Sequence, residues 1–175
     1  MAENLHHLGH TITVVEMNNQ ILAPLDFPIA AIAQQHLRSK GIELLLNTAV
    51  KSFEENGDKL TVHFNDNSTI ETDYVILSIG VRPDIKLAAN AGLKIGEAKG
   101  ILVNEYLQTS HPDIYAVGDA IEFKNPITKK SMSTFLAGPA NKQGRICANN
   151  IVNNNSSTYN GAINTAIVKL FDLTV

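Results

Sequence analysis

Apolar and polar residues alternate through the middle of this chain. Leu60, Val62 and Phe64 are separated by polar residues, and this period of two is typical of strands that bury one face. Asparagine-rich segments interrupt the alternation at the positions where turns are expected. We therefore predict strands joined as an antiparallel meander, at residues 42–46, 49–54, 59–64 and 69–72.

Two continuous apolar runs, 73–80 and 114–117, have the pattern of parallel strands buried on both faces. The first run ends at Gly80 and the second leads into Gly118 and Asp119. Ligands of open α/β sheets bind at the carboxyl edge of the strands. Because glycine lets a ligand approach the backbone and an ionised aspartate only accepts hydrogen bonds, the second run suits the hydroxyls of a sugar or sugar alcohol.

A further strand, rich in β-branched residues, is predicted at 10–16 and ends at Glu16. An acidic residue at this place in a dinucleotide-binding βαβ unit binds the ribose 2′-hydroxyl. The glycine-rich turn of such a unit does not precede it in this sequence. A solvent-exposed carboxylate at a strand end is therefore the alternative interpretation. Residues 99–103 are expected to begin another strand, with its partner near Thr109.

Helices are predicted where apolar residues recur at three- and four-residue spacing or where capping residues stand. The face of the second helix is expected to comprise Ile29, Ile32, Ala33 and Leu37, after an N-cap at Asp26. The last helix should end at Asn149–Asn150. The predicted helices lie at 2–8, 28–39 and 87–91, and from Pro139 onward.

The last of these helices has two features that bear on binding. Pro139 suits the first turn, where the free N–H groups favour partial negative charge. Ala140, Gly144 and Ala148 form a stripe of small residues that permits close packing.

Composition narrows the function classes. The 175 residues carry a net charge of −3 and are 44% hydrophobic, so a core can form and neither nucleic acid nor an anionic membrane is an expected partner. No apolar run approaches the ~20 residues that span a bilayer, and the N-terminus does not resemble a signal peptide. We expect a soluble, cytoplasmic α/β protein.

The sequence offers little for direct catalysis. Cys147 is the only cysteine, so one chain cannot form a dithiol pair, and its apolar neighbours predict a buried, inert thiol. His6 and His10 are interrupted by Gly9 and have no further ligand set, so no metal site is expected. We predict no catalytic residue in this chain.

The segment T-S-x-P-D-I-Y-A-x-G-D, residues 109–119, resembles the second flavin fingerprint of the pyridine nucleotide–disulfide oxidoreductases. The resemblance implies that Asp119 holds a ribityl hydroxyl of FAD. L-A-G-P-A-N-x-Q-G-R, residues 136–145, resembles the coenzyme A-disulfide reductase and NADH oxidase branch. In that branch the helix that starts near Pro139 and Ala140 points its N-terminus toward the flavin ring.

Two more segments carry the same resemblance. V-I-L-x-I-G-x-R-P, residues 75–83, is similar to the segment whose glycine, here Gly80, lies against the nicotinamide nucleotide, although Asp84 replaces the usual asparagine. Residues 1–16 are similar to the sequence that follows the pyridine-nucleotide glycine fingerprint. This similarity implies an internal fragment of a longer protein. Glu16 then favours NAD(H) over NADP(H), because a 2′-phosphate meets a like charge.

The resemblance implies an incomplete Rossmann-like FAD/NAD(P)-binding fold with an antiparallel β-meander. Its expected parts are a partial NAD-binding domain at 1–81, a second FAD-binding segment at 82–155 and the start of a dimerisation domain at 156–175. The whole enzyme is expected to form homo-oligomers and to pass hydride from NAD(P)H by way of FAD to a cysteine that reduces a disulfide, oxygen or peroxide. The fragment alone is expected to be a poor catalyst. A non-catalytic nucleotide-binding or self-associating module is the alternative.

Overall fold

The computed structural model describes all 175 residues, which divide into two compact units. The first contains Met1–Ser78 and Ala166–Val175, and the second contains Ile79–Thr165. In chain order the helices and strands are α1 (Ala2–His7), β1 (Thr13–Val15), α2 (Phe27–Ser39), β2 (Glu43–Leu45), β3 (Val50–Asn56), β4 (Lys59–Phe64), β5 (Thr69–Thr72), α3 (Lys86–Asn90), β6 (Ile101–Leu102), β7 (Ile121–Lys124), β8 (Ser131–Met132), α4 (Ala137–Val152), β9 (Lys169–Leu170) and β10 (Leu173–Thr174).

The first unit contains a β-α-β element and the predicted meander. Strands β1 and β2 pair in parallel, with Thr13 opposite Glu43, and α2 packs against β2. Strands β3, β4 and β5 form an antiparallel sheet in which Val62 pairs with Phe53 on one side and Ile70 on the other. The alternation in β4 buries Val62 and Phe64. The meander is therefore confirmed for its last three strands, whereas the strand predicted at 42–46 is β2, which pairs in parallel with β1.

The core of the first unit is closed by the β9–β10 hairpin. Phe171 is buried against Leu37, Ile42 and Leu44. It lies at the turn of the hairpin with φ of +55°, and its backbone N–H donates to Glu3 Oε2 at 3.0 Å. The hairpin thus contributes a core side chain to a unit that begins more than 160 residues earlier in the chain.

The second unit is built around a short mixed sheet and α4. Strand β6 pairs in parallel with β7, and β7 pairs antiparallel with β8. Leu107, Ile121, Phe123 and Tyr159 form its core. The partner of β6 was predicted near Thr109 and is instead Ile121–Glu122, because the buried strand follows the glycine-aspartate pair and does not precede it.

Both predicted buried parallel strands are wrong in this structure. Residues 73–80 form no strand, and Tyr74 and Ile79 are 85% and 88% exposed, because no other strand of the chain lies alongside to share backbone hydrogen bonds. Residues 114–117 are half-buried at most, and only Tyr115 forms a bridge, with Gln108.

Two helix predictions also need correction. The buried face of α2 comprises Ala30, Ala33, Gln34 and Leu37, whereas Ile29 and Ile32 are exposed. Helix α4 continues past Asn149–Asn150 to Val152, because the Asn150 side chain is buried and satisfied by hydrogen bonds.

The predicted boundaries at 81 and 155 assign functional domains, and that assignment stays a prediction. The compact units divide after Ser78 and after Thr165, so the last twenty residues are shared between them.

Candidate functional site

Gly118 and Asp119 lie in a 3₁₀ turn, Gly118–Ala120, that follows extended Val117. Gly118 has φ of +76°, a conformation that L side chains rarely adopt, so glycine is needed here for the chain to change direction. Its N–H donates to the side-chain oxygen of Gln143 on α4 at 2.7 Å. Asp119 is exposed and makes no hydrogen bond or ion pair within the chain, so its carboxylate presents free acceptors.

The start of α4 lies beside this turn. The Cβ of Ala140 is 4.0 Å from the position that a Cβ on Gly118 would occupy. Leu136 is the N-cap and provides no side-chain cap, and the N–H of Ala140 donates to the Leu136 carbonyl at 3.2 Å. Pro139 has no N–H, so Ala137 and Gly138 hold the helix-terminal N–H groups without an acceptor in the helix.

Glu16 follows β1 at the carboxyl end of the parallel β1–β2 pair. One carboxylate oxygen, Oε1, accepts from both the backbone N–H and the side-chain amide of Asn18, at 2.8 and 2.7 Å. These two bonds fix the orientation of the carboxylate. The second oxygen remains available to a ligand.

Gly80 has φ of +88°, and no heavy atom lies within 4 Å of the position of a Cβ. It belongs to the exposed segment 73–80. Of the six residues predicted to bind cofactors, the structure therefore brings together Gly118, Asp119, Pro139 and Ala140. Glu16 lies in the first unit, away from these four, and no side chain packs against Gly80.

The structure buries two polar residues of α4 whose burial the sequence did not predict. Gln143 and Asn150 are fully buried. With Ile146 and Cys147 they share one helical face, since the four are spaced by three, one and three residues. That spacing was the available signal, because two amides on an otherwise apolar face need hydrogen-bond partners.

Cys147 packs half-buried beside the core of the second unit, and burial raises the pKa of its thiol. A raised pKa lowers the thiolate fraction and the reactivity of the sulfur. No set of three or more His, Cys, Asp and Glu side chains is arranged to hold a metal ion. No helix is both long enough and apolar enough to cross a membrane.

The family model for pyridine nucleotide-disulphide oxidoreductases matches residues 1–144. The chain belongs to this family. An NADH oxidase of Methanocaldococcus jannaschii is 38% identical over the whole chain, which corresponds to 39% of that relative's length. The chain thus spans well under half of this relative.

Two solved structures superpose on almost the whole of this chain. The reduced CoADR-RHD of Bacillus anthracis superposes on 99% of the chain with a TM-score of 0.93 and 44% identity, and the match covers 31% of that protein. An NAD-dependent persulfide reductase of A. fulgidus matches 99% of the chain and 32% of its own, with a TM-score of 0.92 and 38% identity. The Rossmann-like fold expected from the resemblance is confirmed.

Proposed function

We propose that this chain contributes two cofactor-binding surfaces to an FAD-dependent oxidoreductase. In that enzyme hydride passes from NAD(P)H by way of FAD to a cysteine that reduces a disulfide, oxygen or peroxide. The observation that carries the proposal is the meeting of the Gly118–Ala120 turn with the open start of α4. The family match and the names of the relatives, an NADH oxidase and an NAD-dependent persulfide reductase, support it.

The residues of the turn fit a flavin nucleotide. Asp119 offers an exposed carboxylate, and the helix start offers the N–H groups of Ala137 and Gly138. Asp119 would accept a hydrogen bond from a ribityl hydroxyl, and the N–H groups of the helix terminus would favour partial negative charge on a bound flavin ring. Ala140 lies next to Gly118, and Pro139 is in the same first turn of the helix. FAD, when bound, supplies the hydride-accepting chemistry.

Glu16 fits the ribose of the nicotinamide nucleotide, since its second carboxylate oxygen is free to accept from a 2′-hydroxyl. We assign Gly80 to the same nucleotide on the resemblance alone. A carboxylate at this position disfavours a 2′-phosphate, so NADH is the proposed donor over NADPH.

Titration of the purified chain with FAD, followed by flavin fluorescence, tests the first assignment. We expect Asp119→Asn to weaken FAD binding about tenfold. Asp113→Asn is the matched control, because Asp113 is another exposed aspartate within the same motif and its carboxylate makes no hydrogen bond. A chain that cannot be reconstituted with FAD, or equal effects of the two substitutions, would contradict the proposal.

Titration with NADH and NADPH tests the second assignment. Glu16→Gln is expected to narrow the preference for NADH, because it removes the charge that repels a 2′-phosphate while an oxygen remains for Asn18. Glu55→Gln, on the exposed strand β3, is the control. An unchanged NADH-to-NADPH ratio in Glu16→Gln would remove Glu16 from the proposed site.

A self-associating module is the second candidate. The exposed apolar residues of segment 73–80 favour it, because contiguous apolar surface is removed from water when chains associate. The homo-oligomer predicted from the resemblance stays a prediction, as does the cytoplasmic location.

A further inference from the structure

We infer that Gln143 is a positioning residue that sets the conformation of the Gly118–Asp119 turn and thereby the place of the Asp119 carboxylate. The inference rests on the proposed function for its consequence in FAD binding. Its structural part stands on the hydrogen bonds and burial of Gln143 alone.

Gln143 connects three parts of the second unit. Its Oε1 accepts from the N–H of Gly118 at 2.7 Å, and its Nε2 donates to the hydroxyl of Tyr159 at 2.9 Å. The side chain is fully buried, and Tyr159 is 6% exposed. The turn, the middle of α4 and the segment that follows the helix are therefore tied together by one amide.

The two bonds define the orientation of the amide. A backbone N–H can only donate, so the atom that faces Gly118 must be the oxygen. The nitrogen then faces the tyrosine hydroxyl, whose oxygen accepts. Because both ends are occupied, the amide cannot rotate without leaving a buried donor unpaired, which is costly away from water.

Tyr159 is itself held in place. Its ring meets Phe123 edge to face, with centroids 5.5 Å apart, and its backbone N–H donates to the carbonyl of Glu105 at 2.7 Å. Burial raises the pKa of its hydroxyl, so the group stays neutral. Gln143 is thus anchored to the core at one end and holds the turn at the other.

The connection matters because Asp119 has no partner of its own. Its place depends on the backbone of the turn, and Gly118 is the residue whose positive φ changes the chain direction just before it. If the N–H of Gly118 loses its acceptor, the turn gains other conformations, and the backbone that carries the carboxylate is no longer held next to the start of α4. Preorganisation of this kind is what places a ligand-binding group within reach.

Amide hydrogen exchange of the full chain, measured by NMR, tests the inference without any cofactor. In Gln143→Met we expect the N–H of Gly118 to exchange at least about tenfold faster relative to that of Ala116. The N–H of Ala116 donates to the carbonyl of Leu107 and does not touch Gln143, so it is an internal reference. An unchanged ratio would overturn the inference.

Asn150→Leu is the matched control for a general loss of stability. Asn150 is equally buried on the same helix, and its amide bonds to Tyr106 and Ser157 and not to the turn. We expect this variant to leave the Gly118-to-Ala116 ratio unchanged. If it raises the ratio as much as Gln143→Met does, the effect is general loosening and the inference fails.

Tyr159→Phe is the milder variant if Gln143→Met does not fold. It keeps the ring and removes only the oxygen that anchors Nε2, so the Gly118-to-Ala116 ratio should rise by a smaller factor. A ratio equal to that of the unaltered chain would overturn the inference.

FAD titration of the same variants then separates the two proposals. Gln143→Met should bind FAD about three- to tenfold more weakly than Asn150→Leu, because the turn is looser before binding. If the two variants bind FAD with equal affinity although the exchange ratio is raised in Gln143→Met, Gln143 does not act on FAD binding through Asp119. If the unaltered chain itself binds no FAD, the proposed function fails, while the exchange ratio still decides whether Gln143 sets the turn.

Discussion

At the scale of single residues, the stability of the second unit depends on how completely its buried polar side chains are hydrogen-bonded. Asn150 makes three hydrogen bonds and Gln143 makes two. Glu122 differs, since it is 1% exposed and only its Oε2 has a partner, the N–H of Ala98 at 2.6 Å. The carboxylate of Glu122 therefore holds the loop before β6 through a single hydrogen bond.

Gly96 leaves the space that this carboxylate occupies. A Cβ at Gly96 would lie 2.3 Å from the carboxyl carbon and from both oxygens of Glu122. We expect Gly96→Ala to displace the carboxylate and to lower the free energy of unfolding by about 1–3 kcal/mol. Urea denaturation measures this change.

A double-mutant cycle gives the control for this prediction. In a Glu122→Ala background the alanine at position 96 no longer meets the carboxylate, so its additional cost should fall by more than half. Equal costs in both backgrounds would show that Gly96 is required for another reason.

We expect the stability of the β9–β10 hairpin to depend on pH through a single residue, Asp172. The hydrogen bond from Lys40 lowers the pKa of the Asp172 carboxyl below its usual 3.8, and their contact is 2.7 Å long. A carboxyl group whose pKa is lower in the folded chain than in the unfolded chain stabilises the folded state at pH values above the unfolded-state pKa. This stabilisation is lost as the pH falls through the folded-state pKa. His36 also faces Asp172 at 3.0 Å, and His6 and His7 surround Phe171.

We therefore expect acid below about pH 4 to loosen the β9–β10 hairpin. Hydrogen exchange at the Phe171 N–H, compared with that at Val62 in the meander, would measure the loosening. Asp172→Asn should flatten this dependence, whereas Asp58→Asn, at the turn between β3 and β4, should leave it unchanged. A hairpin that loosens equally in Asp172→Asn would assign the effect to another group, such as Glu3.

At the scale of elements, helix α4 shows which of its faces the chain covers. Gln143, Ile146, Cys147 and Asn150 face the core, whereas the stripe of small residues does not pack closely. No heavy atom lies within 4 Å of the position of a Cβ on Gly144, and Ala148 is exposed. The close packing that this stripe permits is therefore absent at Gly144 and Ala148, and of the three residues only Ala140 lies beside another element, the Gly118–Ala120 turn.

Gly144→Ala should consequently stabilise the chain. Alanine loses less backbone entropy than glycine in a helix interior, by about 0.5–1 kcal/mol, and the site has room for the methyl group. Thermal unfolding followed by circular dichroism measures the gain. Gly118→Ala is the contrasting variant, because its φ of +76° makes the same substitution strained. A loss of stability in Gly144→Ala would mean that the stripe is covered in solution.

At the scale of the whole molecule, the chain consists of two units with separate cores. The boundary between them falls within the apolar segment 73–80. Residues 74–85 form no helix or strand, and Tyr74 and Leu77 are mostly exposed. A backbone segment without the hydrogen bonds of a helix or sheet unfolds locally at little cost in free energy, so proteases can reach it.

Limited chymotrypsin digestion should cut first after Tyr74 or Leu77, with the products identified by mass spectrometry. Aromatic sites in the cores, such as Phe123 and Tyr159, should be cut later because they are buried. A Tyr74→Ser/Leu77→Ser variant removes these two sites and should slow the first cut. An unchanged first cut in that variant, or a first cut inside either core, would contradict the exposure of this segment.

The sequence by itself determined the family and several local elements. The period of two predicted the bounds of β4 and β5 without error, and the helical spacing predicted the start of α2 to within one residue. The motifs at 109–119 and 136–145 pointed to the family that matches the chain. These features are local, because backbone periodicity and turn chemistry depend on neighbours a few residues away.

Only the tertiary structure decided which strands pair and which polar side chains are buried. The apolar runs at 73–80 and 114–117 satisfied the pattern of buried strands, yet a strand also requires a partner in space. β6 found its partner in β7. Likewise, the burial of Gln143 depends on Gly118 and Tyr159 reaching the same side of α4. Such pairings join distant parts of the chain, so no local pattern specifies them.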